Sequence, residues 1–170
     1  IYMSSIPGGW IADRITGTRG ATLIGGVLII IGHICLSLPF AMFGLFTSMF
    51  FIIIGSGLMK PNISNIVGRL YPQNDVRMDA GFVIFYMSVN FGALVSPIIL
   101  QHFINVKNFH GGFLIAAIGM ALGLIWYILF NRKNLGSVGM KPTNPLSPTE
   151  KKKYSIITVS YTHLRAHETR

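Results

Sequence analysis

The chain has 170 residues, of which 51% are hydrophobic and only 11% charged, and it carries a net charge of +9. Soluble domains have about 25% charged residues, so this composition excludes an ordinary soluble fold and points to a membrane protein. The basic excess lies between apolar runs rather than on one aromatic-studded face, which argues against nucleic acid as a partner.

The first apolar run, "IYMSSIPGGWIA", starts at Ile1 rather than a methionine. It reads as a helix over about residues 1–13, entered part-way, in a chain whose preceding span is missing. Four charge-poor runs follow and predict helices at about 20–38, 43–69, 79–103 and 111–131. Each has the roughly 17–25 residues needed to cross a hydrocarbon core of about 30 Å. Residues 1–131 are therefore expected to form an all-α membrane unit.

Basic residues mark every second connection: Arg14 and Arg19, then Arg69 and Arg77, then Arg132, Lys133, Lys141 and residues 151–153. The connections between them hold only Lys107. By the positive-inside rule the basic ends face the cytoplasm. Residues 132–159 are rich in Pro, Ser and Lys without an apolar period and are expected to be a solvated cytoplasmic linker. Residues 160–170, "SYTHLRAHETR", resemble translated adapter read-through and are set aside as non-native. His163 and His167 are discounted as a metal pair for that reason.

Three motifs carry the chemistry. In "GGWIADRITGTRG", Asp13, Arg14 and Arg19 sit where a helix leaves the membrane. They are either a solvated charge cluster or a set of charge-assisted contacts between helix ends. In "GSGLMKPNISN", Lys60 lies nine residues before Arg69, roughly 13 Å inside its span at 1.5 Å per residue. An ionisable residue at that depth usually faces a partner or a wet cavity, although a lysine stem can also snorkel. Ser56 and Ser64 extend a polar stripe through Lys60, and Pro61 frees the Gly57 carbonyl and is expected to bend the helix. In "DAGFVIFYMSVNFGALVSP", Asn90 lies about 16 Å from Asp79, with Tyr86 one turn below it. An intramembrane asparagine can simply link helices. Tyr2, however, lies about 16 Å from Asp13, so phenol, ammonium and carboxamide share nearly one depth. Transporters hold substrate in such a layer near the midplane.

The three motifs together resemble the proton-dependent oligopeptide transporter (POT) family, in its bacterial di- and tripeptide branch. The likeness covers Ile1 to about residue 153. It implies a major facilitator fold, with this chain a fragment of the N-terminal six-helix bundle comprising helices 2 to 6. It also implies that Tyr2, Lys60 and Asn90 bind the peptide, that Lys60 takes part in proton coupling, and that Asp13, Arg14 and Arg19 belong to a cytoplasmic gate. The expected activity is proton-coupled symport of di- and tripeptides across the bacterial cytoplasmic membrane, driven by the proton gradient without a cofactor. A facilitator carrying nitrate or another small anion is the alternative, and a membrane-embedded enzyme or scaffold a remote one, because Lys60 is the only formal charge inside the spans.

The remaining candidates read as structural. Cys35 lies in an apolar span as an inert thiol, and His33 is expected to be a hydrogen-bonded packing residue rather than a proton carrier. His102 and His110 have no metal-ligand pattern, so no metal is expected. Gly119 and Gly123 form a small-xxx-small packing face, and Trp126 and Tyr127 are interfacial anchors or packing residues.

Overall fold

A computed structural model describes residues 3–39, 41–72, 75–147 and 150. The regular elements among them are α1 (Ser5–Ile11), a π-helical turn (Ala12–Thr16), α2 (Gly17–Ser37), α3 (Ala41–Arg69), α4 (Arg77–Asn105) and α5 (Phe109–Leu135). The described residues are thus all-helical. Ser5–Ser37, Met42–Arg69, Arg77–Asn105 and Phe109–Leu135 are each long and apolar enough to cross a membrane.

Contacts with α3 show that Ser5–Ser37 folds back on itself. Near the start of α1, Ser4 donates its hydroxyl to the Ile53 carbonyl at 3.0 Å. Four residues on, the Gly8 carbonyl accepts from Asn62 at 3.4 Å. Both numbers rise together, so α1 runs parallel to α3. In α2, Gly25 lies against Gly55 and Met59, whereas Gly32 lies against Ser48 and Ile52, so α2 runs antiparallel to α3. The reversal takes place through the π-turn and Gly17, whose φ of 75° and ψ of 160° suit a residue without a side chain.

Small residues let α2 and α3 meet backbone to backbone. A Cβ on Gly25 would lie 2.6 Å from the Gly55 carbonyl oxygen, and one on Gly55 would lie 2.7 Å from that of Gly25. In lipid there is no hydrophobic gain from joining helices, so such close packing supplies the attraction. Helix α1 meets α3 in the same way, with Gly8 directly over the Gly57 carbonyl. That carbonyl is the one Pro61 leaves without its helical donor. Even so, α3 continues as a helix from Ala41 through Pro61 to Arg69. Asn62 is 1% exposed and donates to both the Leu58 carbonyl at 2.6 Å and the Gly8 carbonyl at 3.4 Å. In the "KPN" stretch Asn62 therefore ties α1 onto α3, while Lys60 is exposed.

Two expectations about packing are corrected. Gly119 and Gly123 have no atom within 4 Å of a Cβ placed on either, so no described helix packs on them. The α2–α5 seam is instead made by Leu124 fitting over Gly26. His33 is half-buried, but its Nδ1 finds no hydrogen-bond partner among the described residues, so the expected tie is not there.

Helix α4 stands apart, with no buried residue along its length. It touches its neighbours at its ends, where Tyr71 covers Gly81, Phe82 reaches Gly68, and Leu100 and Phe103 cover Gly112. Its middle, including Tyr86 and Asn90, is exposed.

Candidate functional site

The α1 seam of α3 runs through Ile53, Gly57 and Asn62, and the α2 seam through Ser48, Ile52, Gly55 and Met59. With 3.6 residues per turn, Lys60 points about 110° away from the α2 seam and lies about 20° and 60° from Ile53 and Gly57, at the edge of the α1 seam. Lys60 is exposed, and among the described residues its ammonium makes no hydrogen bond or ion pair. The rest of the stripe is polar: Ser56 is 7% exposed, and Ser64 donates to the Lys60 carbonyl at 3.4 Å. Among the described residues the Lys60 ammonium is thus exposed and unpaired, one turn beyond the buried Ser56 on the same stripe.

Asn90 is likewise exposed and makes no hydrogen bond among the described residues. It shares a face of α4 with Tyr86, whose ring stacks on Phe82 with centroids 6.4 Å apart. Since α4 begins at Arg77, Asn90 lies roughly 20 Å along it at 1.5 Å per residue. Lys60 and Asn90 are both deep within their helices, and no hydrogen bond joins them. Tyr2 lies outside the described residues.

The three expected gate residues come together around one helix end, with partners that composition did not indicate. Asp13 Oδ1 accepts from Thr143 Oγ1 at 3.2 Å and lies 3.9 Å from Arg69 Nη2, which donates to the same Thr143 oxygen at 2.6 Å. Arg14 pairs with Glu150 at 3.6 Å. Arg19 is only 6% exposed and donates Nη2 to the Gly136 carbonyl at 2.9 Å. As the third residue of α2 it opposes the dipole of its own helix; beside the end of α5 it complements the dipole of another.

Residues 132–147, expected to be a solvated linker, are ordered on this end. Arg132 and Lys133 lie in the last turn of α5. Beyond it, the Arg19 amide donates to the Gly139 carbonyl at 3.1 Å, the Asn144 amide to the Asp13 carbonyl at 3.0 Å, and the Leu146 amide to the Arg14 carbonyl at 3.4 Å. These bonds use backbone groups, so the segment docks without an apolar period. Ser147 and Glu150 then form a reciprocal capping box, with the Ser147 amide 2.9 Å from Glu150 Oε2 and the Glu150 amide 3.2 Å from Ser147 Oγ. The Ser147 amide, its hydroxyl and the Arg14 charge hold the Glu150 carboxyl below its usual range, against a smaller opposing effect of burial. Glu150 is therefore ionised at neutral pH.

The sequence profile described as "PTR2: POT family" matches residues 20–165. The chain belongs to the POT family. A di-/tripeptide transporter of Lactococcus lactis subsp. cremoris is 42% identical to this POT chain over 160 residues, covering 94% of this chain and 32% of the relative. The uncharacterized transporter YclF of Bacillus subtilis (strain 168) is 48% identical over 147 residues, covering 86% of this chain and 30% of the relative. Among solved structures, a POT family transporter in complex with 5-aminolevulinic acid is 81% identical with a TM-score of 0.90, covering 97% of this chain and 34% of that one. The POT chain thus spans about a third of the length of the relatives it matches. Those relatives are transporters, not enzymes, and the expected major facilitator fold stands.

Proposed function

We propose that this POT chain is part of a proton-coupled symporter of di- and tripeptides working by alternating access. The observation that carries the reading is the exposed Lys60 ammonium, unpaired among the described residues and roughly 13 Å from the end of α3. A cation at that depth in a membrane span suits a peptide carboxylate or an acidic partner. Burial disfavours the charged form of a lysine and a nearby carboxylate favours it, so one such group can both bind an anion and sense a proton. The di-/tripeptide transporters among the relatives support peptide as the substrate.

Asn90 and Tyr2 would orient the peptide by hydrogen bonds, and the helix around Pro61 would bend locally as the pocket opens and closes. Asp13, Arg14 and Arg19 would close the cytoplasmic end. The proton gradient across the bacterial cytoplasmic membrane would supply the energy, and no cofactor is called for. The segment after α5 would lie on the cytoplasmic side.

In the full-length protein, Asn90→Ala is expected to weaken dipeptide binding about fivefold to tenfold, the worth of one hydrogen bond of roughly 1–1.5 kcal/mol. Isothermal titration with the purified variant checks this. Unchanged affinity in a folded variant would return Asn90 to helix packing.

A further inference from the structure

The segment after α5 makes more directed contacts with the 13–19 loop than a linker between halves requires. It touches the loop at both ends. Arg19 holds its start through the Gly136 and Gly139 carbonyls, and the Asp13 and Arg14 carbonyls hold its finish through the amides of Asn144 and Leu146. Thr143 adds the end of α3, because its hydroxyl lies between Asp13 and Arg69. Steric fit is just as close. Gly139 has a φ of 72°, and a Cβ there would strike Thr18 Oγ1. A Cβ on Gly17 would lie 2.9 Å from the Gly139 carbonyl oxygen.

We propose that residues 136–147 are a clasp that ties three helix ends into one rigid body: the α1–α2 turn, the end of α3 and the end of α5. The body tied in this way then runs past the end of α5 to Leu146, whose amide makes the last backbone bond to the 13–19 loop. Rocking between two halves requires each half to move as a unit, and the clasp supplies that at the end where the gate charges lie. Arg19 and Thr143 are positioning residues in this device.

Amide hydrogen exchange on the full-length protein tests the clasp without any substrate. Peptides covering 136–147 are expected to exchange at least tenfold more slowly than an unstructured chain. Gly139→Ala is expected to bring them close to the unstructured rate while peptides within 20–66 stay protected. If Gly139→Ala also exposed 20–66, the milder Thr143→Val is expected to speed exchange of 140–147 alone. A wild-type segment exchanging at the unstructured rate, or one unaffected by both substitutions, would overturn the clasp. The mechanical role rests on the transport reading and has its own readout. Dipeptide uptake by Gly139→Ala is expected to fall severalfold with dipeptide affinity unchanged, and wild-type uptake with the clasp released would remove that role. Failure of peptide transport altogether would leave the exchange result standing.

Discussion

Lys60→Ala in the full-length protein is expected to lower pH-gradient-driven dipeptide accumulation in liposomes by at least tenfold. A hydrogen bond to a charged group contributes about 1.5–3 kcal/mol, which alone corresponds to roughly tenfold to a hundredfold in binding. Loss of proton coupling adds to this, because the remaining polar groups of the stripe, Ser56 and Ser64, do not titrate. Accumulation at the wild-type rate would show that Lys60 is a snorkelling surface residue and neither binds peptide nor couples protons. The fold is expected to be unaffected, since Lys60 is exposed and no described residue bonds to its ammonium.

Gly55→Leu is expected to have the largest effect on the fold itself. The Gly25 carbonyl oxygen and the Ile29 amide nitrogen lie 2.7 and 3.0 Å from where a Cβ would go, and backbone cannot swing aside as a side chain does. Overpacking a well-fitted site costs typically 1–3 kcal/mol. A leucine here must push two helices apart along their main seam, so the cost is at or above the top of that range. Size-exclusion chromatography and a thermal unfolding scan in detergent are expected to show aggregation or a midpoint several degrees lower. A wild-type elution profile and midpoint would contradict the backbone-to-backbone seam.

Much of the fold was legible because a membrane helix announces itself through missing charge, and the Asp13–Arg19 cluster marks the turn between α1 and α2. Depth counting put Lys60 and Asn90 well inside their helices, and the structure adds that Lys60 is exposed and points away from the α2 seam of α3. Other features gave no such signal. Asn62 sits two residues from Lys60 in one motif, yet it is buried against α1 while Lys60 is exposed; a string of letters shows the polarity of both but not the direction of either. Gly119 and Gly123 look like Gly25 and Gly55 in sequence, and only the positions of neighbouring helices separate a packing glycine from an open one. The clasp was hard to read because half of its hydrogen bonds join backbone amides and carbonyls, which every residue carries, and the rest pair Arg19 and Thr143 with groups distant in sequence. Its one readable sign was the Ser147-x-x-Glu150 capping box.

The central claim, peptide transport coupled to protons through the Lys60 face, is tested most directly by uptake into liposomes containing the full-length protein under an imposed inward proton gradient. Accumulation of a labelled dipeptide, collapsed by a protonophore and competed by unlabelled di- and tripeptides but not by nitrate, is the predicted result. Nitrate uptake without peptide uptake would contradict the account and assign the Lys60 cation to a small anion.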